Sequence, residues 1–162
     1  MAGIEWTPEL SVGVSSLDAD HKVLISLVNQ LDDAIQRGQS RDTVRRVLDA
    51  LRDYTEYHFN REEALMRACG YPDIDAHKRT HGTLRAQVAE IRDRYLRNPE
   101  SIHAREVLAF SKNWLTAHIM GRDQLYVPFI NNARAAVDAA DEAFAKHSQE
   151  PAHAPVTSPA LP

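Results

Sequence analysis

Apolar residues recur at intervals of three and four in four segments of the chain, which is the spacing of residues on one face of an α-helix. In the third segment, for example, Leu84, Val88, Ile91 and Tyr95 follow one another in this way. No segment shows the strict alternation of apolar and polar residues that marks a half-buried strand. The pattern predicts four helices, over about residues 15–38, 41–70, 74–95 and 101–127.

Four amphipathic helices joined by short connections predict an all-α protein, an antiparallel up-down-up-down four-helix bundle. An extended arm precedes the bundle, a segment of high helix propensity follows it, and the last residues are rich in Pro, Ala and Ser, as disordered tails are. The predicted organisation is an N-terminal arm over 1–14, the bundle over 15–130, an appended helix over 131–147 and a disordered tail over 148–162.

Composition narrows the surroundings and the partners of the protein. The formal net charge is −4 and the pI is about 6.0, which argues against nucleic acid or an anionic membrane as a partner, because both are bound through a basic face. Cys69 is the single cysteine and has no internal disulfide partner. Since the N-terminus lacks a signal-peptide pattern and no run of about 18 apolar residues exists, we expect a cytoplasmic protein without a membrane span.

Each apolar stripe continues into polar residues that belong on the interior face of its helix. They are five histidines and one glutamate from four helices: His21, His58, Glu62, His77, His81 and His118. Burying a neutral polar group without a partner costs roughly 1–3 kcal/mol. A single buried histidine is usually satisfied by a hydrogen bond in the core. Six such residues from four helices indicate a shared metal, which accepts imidazole lone pairs and neutralises carboxylates.

The spacing of these residues fits a common site, with one exception. His58 and Glu62 are four residues apart, and residues four apart project from the same helix face. Asp123, however, comes five residues after His118, which in a regular helix places the two side chains about 140° apart. Both reach one site only if the helix is distorted, for which Gly121 gives an opportunity, or if Asp123 spans two metal ions. Taken alone, Asp123 is more often a surface acid.

The ordered set of histidines and carboxylates resembles the hemerythrin family, and in particular its bacterial members, the bacteriohemerythrins. The flanking segments SVGVSSLDADHKVLISLVNQL, YTEYHFNREEALMRACGYPDIDAHKRTH and WLTAHIMGRDQLYVPFI are similar to the signature segments of that family. The resemblance covers about residues 4–130, and all seven ligand positions of the family are present.

The resemblance implies a centre of two non-haem Fe ions joined by an oxo or hydroxo bridge. One iron would be held by His77, His81 and His118, the other by His21 and His58, with Glu62 and Asp123 bridging the pair. It also implies that O2 binds at one position left vacant on the iron of His21 and His58. Apolar residues within one turn of His21 or His118 are the candidate lining of the O2 pocket, with ordinary core packing as the alternative: Leu24, Trp114, Leu115 and Ile119.

The resulting hypothesis is a protein that binds O2 reversibly for storage, transport or sensing and is not an enzyme. An O2-consuming enzyme or a reductase is its expected partner. A site of five imidazoles and two carboxylates differs from that of carboxylate-rich diiron bundles, in which Glu-xx-His pairs supply ligands. Two alternatives remain open from the sequence: a diiron oxidase, peroxidase or nitric-oxide-handling enzyme that uses the same ligands, and an iron-storage or iron-sensing protein.

Overall fold

The computed structural model describes residues 3–152, except for the side chains at positions 104, 108, 111 and 112. Three long helices form most of the bundle: α1 (Ser15–Gln36), α2 (Arg41–Ala68) and α3 (Ile74–Arg97). Gly38 and Gly70 follow the first two of them with φ values of 61° and 69°. Glycine adopts this left-handed conformation without the steric cost that a Cβ imposes, so it ends a helix. The short connections make neighbouring helices antiparallel, and α2 packs against both α1 and α3.

The fourth side of the bundle consists of several helical pieces instead of one continuous helix. The structure has α4 (Ala104–Ser111), a wide π-helical segment (Lys112–Arg122), a 3-10 turn (Asp123–Tyr126) and α5 (Val127–Asn132). α4 packs against α1. Pro128 lies in the first turn of α5, where its missing N–H leaves no intrahelical hydrogen bond unmade. The chain is therefore helical over most of the expected range 101–127, but it does not form one regular α-helix there.

The chain beyond the bundle forms one more helix, α6 (Arg134–His147), which packs along α2. It corresponds to the helix expected over 131–147. Residues 148–152 follow it without helical structure, and residues 153–162 of the predicted tail lie outside the described residues. The division of the chain into arm, bundle, helix and tail stays a prediction.

The segment before α1 is held against the bundle by side chains of α1. The Asp18 carboxylate accepts hydrogen bonds from the Val12 amide at 3.0 Å and from the Ser11 hydroxyl at 2.5 Å. Asn29 accepts from the amide of Ile4 and donates to its carbonyl. Val12 is fully buried, so this arm closes one end of the core. No helix in residues 3–152 combines the length and the hydropathy that a membrane crossing requires.

Candidate metal centre

The seven residues predicted as metal ligands lie together in the interior of the bundle. Each is at most 6% exposed, and they come from α1, α2, α3, the π-helical segment and the turn after it. Their ligand atoms form two groups, and within each group these atoms lie within 4.8 Å of one another. The groups are Glu62, His77, His81 and His118, and His21, His58, Glu62 and Asp123.

Glu62 belongs to both groups because its two carboxylate oxygens face different histidines. Oε1 lies 2.8 Å from Nε2 of His77 and 2.9 Å from Nε2 of His81. Oε2 lies 3.3 Å from Nε2 of His58 and 3.8 Å from Nε2 of His21. One oxygen thus faces each side of the site, as a carboxylate that bridges two metal ions requires.

Asp123 divides its oxygens in the same way. Oδ1 lies 3.0 Å from Nε2 of His118 and 3.2 Å from Nε2 of His77, and Oδ2 lies 3.3 Å from Nε2 of His21. The Asp123 side chain has no exposed surface, so it is not a surface acid. The two carboxylates connect the same two sets of histidines.

The local helix geometry accounts for the different spacings of these ligands. His58 and Glu62, four residues apart, lie in regular α2 and share a face. His118 lies in the π-helical segment and Asp123 directly follows it. In a π-helix the hydrogen bonds run from residue i to residue i+5, so residues five apart are one turn apart. The helix is therefore distorted near Gly121, and Asp123 also faces both groups of histidines.

Several polar atoms of the site are buried without a hydrogen bond, although other polar atoms lie close to them. They are Nδ1 of His21, both ring nitrogens of His118 and both oxygens of Asp123. Nε2 of His118 is 3.0 Å from Oδ1 of Asp123, but the angle does not make a hydrogen bond. Nε2 of His118 and the Asp123 oxygens lie among the ligand atoms of the two groups. Lone pairs brought together in this way suit a cation, which also removes the cost of leaving them unpaired. The residues present therefore fit a metal pair.

Electrostatics keeps both bridging carboxylates ionised. Burial raises the pKa of Glu62, but the surrounding imidazoles of His21, His58, His77 and His81 outweigh burial and hold the pKa well below its usual value. Burial and the charge of Glu62 raise the pKa of Asp123, yet His118 and His21 reverse the effect and leave that pKa strongly lowered. The site thus presents two negative charges to a cation.

Two of the histidines take up protons in the absence of a metal. Burial lowers the pKa of His58, but its hydrogen bond with Asp20 and the adjacent carboxylate of Glu62 outweigh burial and raise the pKa to about 10. Burial likewise lowers the pKa of His77, and the adjacent carboxylates of Asp123 and Glu62 outweigh burial and raise it to about 9. In the metal-free protein these protons balance the two buried carboxylates.

Three residues around the site were not identified from the sequence. Asp20 accepts a hydrogen bond from Nδ1 of His58 at 3.0 Å, and the Tyr126 hydroxyl donates to Oε2 of Glu62 at 3.1 Å. Glu63 lies 3.4 Å from Nδ1 of His81. A carboxylate on Nδ1 sets the tautomer in which Nε2 is free to bind metal. Asp20 had a detectable signal, since it lies on the apolar stripe of α1, three residues after Leu17 and four before Leu24.

The four residues proposed to line an O2 pocket are buried in the apolar core of the bundle. Leu24, Trp114, Leu115 and Ile119 belong to one cluster of packed apolar side chains, and each is at most 3% exposed. Phe59, in the same cluster, stacks on the ring of His81 with 3.8 Å between ring centroids. The apolar cluster therefore extends to the ligands, while the pocket itself stays a prediction.

Four helical sides, five inward imidazoles and two shared carboxylates define a metal-binding helical bundle with donors for two cations. The family described as "Hemerythrin HHE cation binding domain" matches residues 12–130. A bacteriohemerythrin of Stenotrophomonas maltophilia is 37% identical over 126 residues, which cover 78% of this chain and 80% of the relative. A bacteriohemerythrin of Methylococcus capsulatus is 33% identical over 132 residues, covering 81% and 99% of the two chains.

Solved structures agree with these relatives. The crystal structure of a wild-type hemerythrin is 34% identical, has a TM-score of 0.71, and matches 78% of this chain and 97% of its own chain. The protein belongs to the hemerythrin family. The resemblance expected from the ligand pattern and the expected four-helix bundle are both confirmed.

Proposed function

We propose that this protein binds O2 reversibly at a non-haem diiron centre held by the seven buried ligands. The observation that carries the proposal is the division of the carboxylate oxygens: Glu62 and Asp123 each direct one oxygen to either side of the site. Imidazole nitrogen suits several transition metals, and membership in the hemerythrin family favours iron among them. A pair of ferrous ions held by these ligands would supply the electrons that O2 takes up on binding and gives back on release.

The numbers of protein donors on the two sides differ, and this difference is what leaves a place for a ligand. Three imidazoles, of His77, His81 and His118, face one side together with one oxygen from each carboxylate. Only two imidazoles, of His21 and His58, face the other side. A metal site that binds an external molecule keeps a coordination position free of protein donors. We therefore assign O2 binding to the side of His21 and His58.

The surrounding side chains hold the site rigid and dry. Tyr126 donates its hydroxyl proton to Glu62 and so fixes the orientation of this carboxylate. Asp20 holds the imidazole of His58 from the side opposite to the metal. The apolar side chains of Leu24, Trp114 and Ile119 would keep water and protons away from the bound O2, which favours its release unchanged.

The composition of the site favours a carrier over an oxidase. Most of its ligands are neutral imidazoles, so the metal pair gains little negative charge with which to reach higher oxidation states. The proposal therefore is storage or transport of O2 without catalysis, with an O2-consuming enzyme or a reductase as partner and without nucleic acid or membrane contacts. The cytoplasm is the proposed location, which the single cysteine favours.

The test is an optical titration of the reduced, iron-loaded protein with O2. We expect visible absorption bands that appear on exposure to air and disappear when O2 is removed under argon, over repeated cycles. Bands that decay within one cycle, with rapid consumption of a reductant, would favour the oxidase or peroxidase alternative. The absence of any O2-dependent band would overturn the proposal.

A further inference from the structure

The C-terminal extension contacts the bundle at a place that leads directly to a predicted metal ligand. The match to the hemerythrin family ends at residue 130, whereas α6 comes after it and packs along α2. From this helix, the Asp141 carboxylate and the Phe144 ring both contact Arg61 of α2. Arg61 lies three residues after His58, so the contact is close to the site in sequence as well as in space.

The guanidinium group of Arg61 is held at all three nitrogens. Nη1 donates to Oδ1 of Asp141 at 2.8 Å, Nε donates to Oδ2 of Asp20 at 2.9 Å, and Nη2 donates to the hydroxyl of Tyr57. The Phe144 ring centroid lies 4.7 Å from the guanidinium carbon, within the range of a cation–π contact. Arg61 is only 8% exposed. The extension thus supplies one of its three hydrogen-bond partners and covers it with an aromatic ring.

Asp20 connects this arginine to the metal ligand. The same oxygen, Oδ2, accepts from Nε of Arg61 and from Nδ1 of His58. Its other oxygen, Oδ1, accepts from the hydroxyl of Tyr54 at 3.1 Å. A carboxylate held at both oxygens has a fixed orientation, so it also fixes the ring of His58. Because Nε2 of His58 faces the metal side, the orientation of the ring determines where that ligand atom lies.

A second contact from the extension reaches Tyr54, the tyrosine that also contacts the Asp20 carboxylate. Oε1 of Glu150 lies 2.9 Å from the hydroxyl of Tyr54, which also contacts Asp20. A hydroxyl has one proton to donate, so Glu150 and Asp20 share this donor. Three carboxylates, from Asp20, Asp141 and Glu150, therefore lie around the Arg61 guanidinium and the Tyr54 hydroxyl.

We infer that α6 positions a metal ligand: Asp141 and Phe144 hold Arg61, Arg61 holds Asp20, and Asp20 holds the imidazole of His58. The inference rests on the proposed function in that His58 is taken as a ligand of the metal pair. Its consequence is that the extension, although outside the family domain, strengthens metal retention on the side of His21 and His58. Asp141 and Phe144 are positioning residues, since they act only through Arg61 and Asp20.

The test replaces Asp141 by Asn and compares Asp138→Asn as a matched control. Asp138 lies on the same helix, is exposed, and loses the same charge in its variant. In the metal-free protein labelled with 15N at histidine, we expect the Nδ1 proton of His58 to exchange with solvent about tenfold faster in Asp141→Asn, a factor that corresponds to about 1.4 kcal/mol. The Nδ1 proton of His81, which faces Glu63 instead, is the internal control and should be unchanged.

The iron-loaded protein gives a second readout. We expect Asp141→Asn to lose iron to a chelator at least about threefold faster than the parent protein, since outer partners of metal-binding histidines typically change metal affinity by ten- to a hundredfold. Asp138→Asn should match the parent. Asp141→Glu, which restores the carboxylate, should recover most of the difference, and Phe144→Leu should reproduce part of it.

The outcomes separate this inference from the proposed function. Unchanged proton exchange at His58 in Asp141→Asn overturns the inference. Equal acceleration of exchange at His58 and His81 also overturns it, because that result indicates a general loosening of the fold. Faster exchange at His58 alone supports it, even if the loaded protein binds no O2, because the metal-free measurement does not depend on O2. If the parent protein fails to bind O2 while the Nδ1 proton of His58 still exchanges faster in Asp141→Asn, only the proposed function is overturned.

Discussion

Individual side chains bring either lone pairs or charge to the metal centre, and their roles differ accordingly. In the proposed metal centre the five imidazoles would contribute neutral nitrogen ligands, whereas Glu62 and Asp123 would contribute the negative charge that attracts cations. Removing one histidine takes away a ligand and leaves its neighbouring carboxylate buried without that partner. Such a change should therefore affect both metal content and stability.

His118→Ala tests the ligand assignment at a single position. His118 faces Asp123 at 3.0 Å, and we expect the variant to lose iron and to lower the free energy of unfolding by about 3 kcal/mol, the stabilisation by a ligand present at roughly a hundred times its Kd. His103 is exposed, so His103→Ala should keep the iron content of the parent. Iron analysis and chemical denaturation measure both effects, and a fully loaded His118→Ala would show the assignment to be wrong.

Protons should compete with the metal for the same nitrogens. The pKa values of His58 and His77 in the metal-free protein are about 10 and about 9, so both residues are protonated at pH 7. We expect metal binding at pH 7 to release protons and the apparent affinity to rise with pH up to about 10. Calorimetric titrations in two buffers of different ionisation enthalpy count the protons, and a release of none would contradict this expectation.

The metal-free fold should depend on pH in the opposite sense. Folding raises the pKa of His58 and His77 above the ordinary histidine value of 6.5, so the folded state binds protons more tightly than the unfolded state does. This contribution to stability is complete below about pH 6.5 and is lost as the pH rises through 9 and 10. Denaturation of the metal-free protein at a series of pH values measures the trend.

At the scale of helices, the π-helical segment is what distinguishes this bundle from four regular helices. It brings His118 and Asp123 to one site although they are five residues apart. Glycine inside a helix weakens it, so Gly121 gave an opportunity for the distortion. A Cβ built at Gly121 meets no atom within 4 Å and its φ is not positive, so the backbone there accepts an alanine.

Gly121→Ala tests whether the π-helical segment depends on the conformational freedom of glycine at position 121. We expect the variant to keep the iron content of the parent and to gain up to about 1 kcal/mol in free energy of unfolding, because alanine loses less conformational freedom than glycine when the chain folds. Thermal unfolding and iron analysis measure these quantities. Loss of iron in Gly121→Ala would show that the wide turn depends on the freedom of glycine.

For the molecule as a whole, the two groups of ligands predict the metal content. Each group has donors for one ion, and the shared Glu62 connects them. We expect two irons per chain in the purified, loaded protein, measured as metal per protein by elemental analysis. A content of one iron, or of zinc alone, would contradict the dinuclear centre.

The inward position of the candidate ligands and the bundle were predictable because helical periodicity is a local property of the sequence. Residues three and four apart share a face wherever a helix forms, so a polar residue on an apolar stripe is recognisable without knowing what the helix packs against. His21, His58 and His77 were identified in this way. The ends of α1 and α2 shortly before Gly38 and Gly70 followed from backbone stereochemistry, which is equally local.

The remaining features depended on contacts between residues far apart in the chain. Arg61 and Asp141 are separated by 80 residues, and Tyr54 and Glu150 by 96. No periodicity in one helix indicates which face of a distant helix covers it, so the role of α6 was open until the packing was known. Local spacing thus determined which side chains face inward, whereas tertiary packing decided how both carboxylates divide their oxygens and which residues hold the histidines in place.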